Sequence, residues 1–452
     1  MNDGTFASVE SLKGAKITVF GLGVTGLSAA KLASKLQAEL LLVNQQAASF
    51  EFNHRFILQD DPNAAKAMAE SDLILLSPGI PRDHPVLALA HEKSIPIWNE
   101  IELCFLLLRK LAPAVKWLAV TGTNGKTTTV TLLGEILSFD GRGVFVGGNI
   151  GTPLCELVLD TMAGKKPPAT IVLELSSFQL ESLFKFRPHG CAILNISASH
   201  GERYEHVRDY AEAKARIAMN LGAGDTFISF KDDRWSEKVV QAGAFFWDRI
   251  DGAHLDMEGF DLTGFKPFGR HNLVNLNFAA RLAKVAGAKD ESIQFGIDSF
   301  LGVSHRLENI AESDEYIVLN DSKSTNWAST IAAIESVRID AKWKHSKITL
   351  LVGGKCRGHH DLPDDDTVDR LLHLNVEIVL FGEFAKAHAE GMKKLFKATT
   401  VAKKFEGLLQ EWDGKGVLLF SPAFPSFDEF KSYGDRGDQF RKLATSHTAG
   451  LT

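Results

Sequence analysis

Short apolar runs separated by helical patterns recur along this chain. ITVF (17–20) leads into a glycine-rich turn and then LSAAKLASKL, followed by ELLLV (39–43) and DLILLS (72–77). A second series begins at WLAV (117–120) and continues through GVFVGG (143–148), TIVLEL (170–175) and CAILNI (191–196). A third comprises YIVLND (316–321), KITLLVGG (347–354), VEIVLFG (376–382) and GVLLFSP (416–422). Short buried strands alternating with helices predict parallel sheets with crossover helices, an α/β fold. Three such series predict three domains, spanning 1–106, 107–302 and 303–452, and 452 residues suit about three domains of ordinary size.

Composition narrows the class. The chain is 45% hydrophobic and 23% charged, with a net charge of −6, which suits a globular protein and argues against general binding to nucleic acid. An anionic substrate would need positive charge gathered in one pocket. Cys104, Cys155, Cys191 and Cys356 are dispersed, which excludes zinc-ribbon and thioredoxin spacings and suits a reducing compartment. MNDGTFASVE lacks the pattern of a signal peptide, and no apolar run approaches the ~18 residues of a membrane span. A cytoplasmic protein is expected.

Two glycine-rich turns carry candidate chemistry. Gly21-Leu22-Gly23-Val24-Thr25-Gly26 lies between a strand and a helix, where backbone N–H groups and a helix N-terminus can hold a diphosphate. A dinucleotide site would also need an acid at the end of the second strand, and Asn44-Gln45-Gln46 stands there instead. That disfavours NAD and favours another diphosphate ligand, with a ligand-free tight turn as the bland alternative. Ser77-Pro78-Gly79-Ile80 ends a later strand and belongs at the same sheet edge.

The second turn, Gly122-Thr123-Asn124-Gly125-Lys126-Thr127-Thr128, joins WLAV to an apolar helix. Its Gly-Lys-Thr ending is that of a phosphate-cradling loop, in which Lys126 contacts phosphates and the Thr127 hydroxyl ligates Mg²⁺. Glu174 ends a run that otherwise reads as buried strand. A carboxylate there needs a metal or a salt bridge to offset its burial.

TGTNGKT, GGNIG (147–151) and ELSSFQLE (174–181) resemble the ATP-dependent Mur ligases. Asn195 with His200 and Arg203, AEAKARI (211–217), GRHNLVN (269–275), HRLE (305–308), NDSKSTN (320–326), SPAFPSFDEF (421–430) and RGDQF (436–440) extend the resemblance over nearly the whole chain. The last two look most like the member that adds D-glutamate to UDP-N-acetylmuramoyl-L-alanine; a member adding L-glutamate or another amino acid is the alternative.

The resemblance implies a Rossmann-like N-terminal domain for the UDP-sugar, a P-loop central domain for ATP and a Rossmann-like C-terminal domain for the amino acid. It implies a monomer with two Mg²⁺ sites and no nucleic-acid or membrane partner. Position by position, it implies UDP-sugar contacts at Gly23, Val24, Thr25, Asn44, Ser77, Gly79, Asn149, Ser176 and His200. ATP contacts fall on the loop 122–128, on Asn272 and Asn275 facing adenine, and on Arg306 and Asp321. Lys323, Thr325, Arg357, Ser426, Phe427 and Tyr433 match the amino-acid site. Thr127, Glu174, His200 and Lys214 match the metal sites, with Lys126, Glu174, His200 and Lys214 catalytic and Lys214 carried as a carbamate. Read without the resemblance, Lys214 is a solvated helix lysine, Asn272 and Asn275 satisfy a turn, and Arg306 is a surface ion pair.

Four departures from the family stand out. Asn44, with Gln45 and Gln46, replaces the acid and neighbours that contact uracil and phosphate. Ser199 and Glu202 stand for two aspartates beside His200. Arg357 replaces a lysine, and Tyr433 a phenylalanine. The run His359-His360-Asp361 suggests a metal, but its spacing is poor. A nucleotide-dependent oxidoreductase and an ATP-hydrolysing regulatory module are the rival classes. The first is opposed by residue 44 and the second phosphate loop, the second by the apparent acceptor site.

Overall fold

A computed structural model of the chain describes residues 12–450, apart from 47–49, 140, 198, 202, 232, 241–242, 253–254, 256, 359–360, 397–398, 403 and 411. Three sheets form, one from each series of apolar runs. The first has five strands, all parallel, with Lys16–Phe20 between Glu39–Asn44 and Leu73–Leu76, and Arg55–Leu58 and Ile97–Trp98 at its edges. The second has six parallel strands, with Lys116–Thr121 between Thr170–Glu174 and Gly190–Ile193. The third has six, with Gly416–Ala423 between Tyr316–Asn320 and Ile348–Gly353. Its edge strand Glu308–Glu312 is antiparallel to Tyr316–Asn320.

The central strands are buried along almost their whole length because helices cover both faces, which is why they read as continuous apolar runs. In each sheet the chain reverses its direction of travel beside the central strand. Loops leaving the C-terminal ends of neighbouring strands diverge there and open a crevice. Both glycine-rich turns leave their sheets at such points.

The chain forms two compact units. The first takes in residues up to Phe260 together with Asn275–Gly296, and so contains two of the sheets; the second comprises Asp261–Val274 and Ile297 onward. The first two sheets share a core that runs through helix Glu100–Leu111, where Phe105, Trp117 and Phe186 pack edge to face. Polar ties reinforce that junction. Glu102 accepts the backbone N–H groups of Phe184, Lys185 and Phe186 at 3.0, 2.6 and 3.2 Å, and Ser28 donates to Glu156 at 2.9 Å. In the second unit separate apolar clusters cover the two faces of the third sheet.

Candidate active site

The phosphate loop joins strand Lys116–Thr121 to helix Lys126–Phe139. Gly122 and Gly125 both have positive φ, so the loop turns its backbone N–H groups inward over the helix N-terminus. Lys126 Nζ donates to the carbonyls of Gly122 and Thr123 at 2.8 and 2.9 Å. Asn195, from the loop after strand Gly190–Ile193, clamps the far side. Its Oδ1 accepts Asn124 N at 2.9 Å, and its Nδ2 donates to Asn124 O at 3.1 Å. Thr128, the third residue of that helix, is buried.

Glu174 ends the neighbouring strand and is 2% exposed. Its Oε2 accepts the Thr127 hydroxyl at 2.7 Å and its Oε1 accepts Asn149 Nδ2 at 2.9 Å. The salt-bridge alternative therefore fails: the bonded partners are a hydroxyl and an amide. Asn149 reaches Glu174 because Gly148, at φ +97°, passes so close that a Cβ would lie 2.3 Å from Glu174 O. Thr127 Oγ1 and Glu174 Oε2 are hard oxygen donors side by side on the phosphate loop. They fit Mg²⁺, which takes few protein ligands and completes its shell with phosphate and water.

Lys214 corrects the bottom-up expectation. It lies on helix Val207–Ala215 but is 1% exposed, not solvated. The helix buries Tyr210, Ala211 and Ala213 with it, and the Nζ lies 4.4 Å from the centre of the Tyr210 ring. It donates to Gly122 O at 3.0 Å and Thr121 Oγ1 at 3.3 Å, directly beneath the phosphate loop. Burial, then the nearby Lys126 ammonium, push its pKa well below the usual lysine value, while Glu174 pulls it back.

His200 adopts φ +58°, and its carbonyl accepts the N–H groups of Arg203 and Tyr204, both at 2.9 Å. Glu181 holds that turn through the side chains of Arg203 and Tyr204, and the Phe178 ring meets His200 edge-on at 4.8 Å. Ser199 lies in this loop, and Glu202 falls outside the described residues. Ser176 caps the short helix Ser177–Leu180 in a reciprocal box with Gln179.

At the first glycine turn, Gly26 packs against Gly21, where a Cβ would lie 1.9 Å from Gly21 O. Asn44 Oδ1 accepts Leu22 N at 3.2 Å, and its Nδ2 donates to Gln46 O at 3.1 Å. The residue in the place of the dinucleotide acid thus shapes the turn itself. Gly23, Val24, Thr25, Ser77 and Gly79 occupy the same C-terminal sheet edge, with Val24 77% exposed.

Asn275, in the first unit, presents its Oδ1 to Thr129 Oγ1 at 3.4 Å, against the phosphate loop. Asn272 belongs to the second unit, where its Nδ2 donates to Phe268 O at 2.6 Å. Both lie in helix Arg270–Ala286, not in the turn of the bland reading, although Asn272 does satisfy a backbone carbonyl.

In the second unit Asp321 is buried at the end of strand Tyr316–Asn320. It accepts Ser324 Oγ at 2.5 Å, Ser421 Oγ at 2.9 Å and Leu307 N at 3.3 Å. Burial raises its pKa to about 6, against those hydrogen bonds and the charge of Arg306. Arg306 is half-buried, in the field of Asp321, which replaces the surface-pair reading. Lys323 Nζ sits 5.3 Å from the Tyr433 ring centre, Ser426 is buried, and Phe427 is 67% exposed. Thr325 is half-buried beside them in sequence.

Arg357 is already engaged. It grips Asp361 with Nε and Nη2 at 2.9 and 2.8 Å, and its backbone N donates to the same carboxylate at 2.8 Å. That commitment of Asp361 removes the acid from the metal reading of the histidine run, whose His359 and His360 lie outside the described residues. Among the described residues no group of three or more His, Cys, Asp or Glu is arranged to hold a metal.

Arg436 is the residue the sequence reading left without a role. It is fully buried and ties together the ends of the central strands of the third sheet. Nε donates to Ser322 Oγ at 3.1 Å, Nη2 to Ser322 O at 2.8 Å, and Nη1 to Phe424 O at 2.9 Å. Burial lowers its pKa to about 10. Only the RGDQF motif signalled it, since a lone arginine at a helix start has no periodicity.

These features define a three-sheet α/β nucleotide-binding protein with a phosphate loop on the middle sheet. Comparisons with known proteins narrow that class. The Mur ligase middle domain matches residues 120–247, and the Mur ligase MurD-like N-terminal domain matches 15–99. The UDP-N-acetylmuramoylalanine–D-glutamate ligase of Geotalea daltonii is 34% identical, with 97% of this chain and 99% of that protein covered. The ligase of the same name from Geobacillus kaustophilus is 32% identical, covering 94% and 96%. In structure, UDP-N-acetylmuramate-alanine ligase MurC of Thermotoga maritima matches with a TM-score of 0.54 at 18% identity, covering 96% of this chain and all of that one. The chain belongs to the Mur ligase family of ATP-dependent ligases.

Proposed function

We propose that this protein forms an amide bond between the L-alanine carboxylate of UDP-N-acetylmuramoyl-L-alanine and the amino group of D-glutamate, in peptidoglycan precursor synthesis in the cytoplasm. The relatives at 31–34% identity over nearly the full chain carry that activity in their names. The observation that carries the reading is the convergence of Lys126, Thr127, Glu174 and Lys214 on one phosphate loop.

The substrate carboxylate attacks the γ-phosphorus of ATP, releasing ADP and leaving an acyl phosphate. The amine of D-glutamate attacks the acyl carbon, loses a proton, and expels phosphate. Two anions meet in the first step, so the site must neutralise charge. Lys126 supplies one cation. Thr127 and Glu174 would hold Mg²⁺, which when bound offsets phosphate charge. His200 and Lys214 are candidates for a second metal position. A neutral, buried Lys214 amine is suited to add CO₂ and lose a proton, which turns it into an anionic oxygen ligand. The first glycine turn takes the UDP diphosphate, with Asn44 in place of an acid toward uracil. Arg306, Asp321 and the Asn272–Asn275 pair serve ATP, while Lys323, Thr325, Arg357, Ser426, Phe427 and Tyr433 serve the amino acid.

The test is phosphate release with each substrate omitted in turn. Turnover should require ATP, UDP-N-acetylmuramoyl-L-alanine and D-glutamate together. Equal turnover with ATP alone would replace the ligase by an ATP-hydrolysing module, and a preference for L-glutamate would change the acceptor.

A further inference from the structure

Behind Ser176 lies a buried carboxyl group that the reaction does not use. Glu100 opens helix Glu100–Leu111 and is 4% exposed. Its Oε1 accepts a hydrogen bond from Gln179 Nε2 at 3.4 Å. Gln179, itself buried, turns its Oε1 to Ser176, accepting the backbone N–H at 3.1 Å and the hydroxyl at 3.2 Å. Ser176 Oγ in return accepts Gln179 N at 3.2 Å, and Asn99 Nδ2 anchors Gln179 O at 2.6 Å. The direction of the carboxamide follows from its partners. Ser176 N–H is a donor and requires the amide oxygen, which leaves the nitrogen facing Glu100.

An apolar residue could fill the place of Glu100 without the cost of burying a carboxyl group. We propose that Glu100 is a positioning residue for the nucleotide-sugar substrate, fixing the Ser176 hydroxyl through Gln179. The inference rests on the assignment of Ser176 to that substrate made above. Burial raises the Glu100 pKa to about 7, opposed by its own backbone N–H and by Gln179. No cation faces it among the described residues. The titratable neighbour in its field is Cys104, one turn along the same helix, and Cys155 from helix Leu154–Met162 packs on that thiol at 3.4 Å. The segment opposite presents the neutral Gln179. An ionised acceptor bonds the Gln179 amide more strongly than a neutral one. Ionisation of Glu100 therefore tightens the chain to Ser176 and lowers the KM for the sugar substrate.

The experiment measures KM for UDP-N-acetylmuramoyl-L-alanine, ATP and D-glutamate at pH 6 and pH 8 in the wild type, E100Q and E100L. E100L should raise the sugar-substrate KM roughly 3- to 10-fold, the loss of one hydrogen bond, with the other two KM values unchanged. E100Q keeps a neutral acceptor at every pH, so the fall in KM that the wild type shows from pH 6 to pH 8 should vanish in it. The substrates and the rest of the chain are common to both proteins, so the difference between the two profiles isolates Glu100. If E100L does not fold, the E100Q profile decides alone. An E100L that raises all three KM values together, or an E100Q that follows the wild-type pH profile, overturns the inference while leaving the ligase reading intact. A wild type without substrate-dependent turnover overturns both.

Discussion

Lys126→Ala removes the one side-chain cation donating into the phosphate loop from its own helix. In the structure that ammonium bonds two loop carbonyls at 2.8 and 2.9 Å, both neutral acceptors. Exchanging them for anionic phosphate oxygens in the transition state strengthens the contact where charge develops, so its loss falls on kcat. Removing one preorganised contact of this kind costs about 3–4 kcal/mol, or roughly 10²–10³ in rate. A second effect adds to the first. Lys126 is the largest depressor of the Lys214 pKa after burial itself. Without it Lys214 holds its proton to higher pH, and the neutral amine required for the proposed carbamate becomes scarcer. Residual activity should therefore rise with pH more steeply than in the wild type. Lys126→Arg should stay impaired, because a planar guanidinium does not replace a point charge in a tight loop. Phosphate release at saturating substrate measures the rate, and thermal melting checks the fold. A folded Lys126→Ala enzyme within about threefold of wild-type kcat would refute the reasoning.

Lys214→Ala should be nearly inactive, with partial rescue by acetate or formate standing in for the lost carboxylate; full activity without rescue would remove the carbamate. Arg357→Ala should raise the KM for D-glutamate by about tenfold or more, the worth of a hydrogen bond to a charged group, and leave the KM for ATP unchanged. An unaltered D-glutamate KM would make the Arg357–Asp361 pair purely structural. Glu100 gives a stability prediction. Its folded pKa of about 7 lies above the ordinary 4.5, so the folded state binds the proton more tightly than the unfolded one. That contribution is fully present below about pH 4.5 and is lost as pH rises through 7, a change of roughly 3 kcal/mol in total. E100Q should flatten this loss between pH 5 and 8 in denaturant titrations, and an unchanged slope would contradict the raised pKa.

The central strands were legible because helices cover both faces and nearly every residue is apolar, as in Leu73–Leu76 and, but for Asn320, Tyr316–Asn320. The edge strands Arg55–Leu58, Phe246–Ile250, Glu308–Glu312 and Thr399–Val401 were not, since a half-exposed edge carries polar residues and no continuous run. The phosphate loop was readable from its glycines and the Gly-Lys-Thr ending. The depth of Lys214 was not, because its helix is rich in charged and small residues and burial arises from what packs over it. Glu174 was singled out as a carboxylate needing a metal or a salt bridge, and only the fold reveals that its bonded partners are Thr127 and Asn149. The Arg357–Asp361 pair has the four-residue spacing of a local ion pair, but the adjacent histidines drew attention to a metal. Beyond its motif Arg436 had no signal, since its partners Ser322 and Phe424 lie 114 and 12 residues away.

In the proposed reaction the substrate carboxylate attacks ATP before the amine attacks the carboxyl carbon. UDP-N-acetylmuramoyl-L-alanine carrying ¹⁸O in its terminal carboxylate tests this directly when turned over with ATP and D-glutamate. The attacking oxygen becomes the bridge of the acyl phosphate and leaves with phosphorus when the amide forms. Mass spectrometry should find one ¹⁸O in the released phosphate and one in the new amide carbonyl. Unlabelled phosphate, with the displaced ¹⁸O found in water or in another product, would contradict that order of attack.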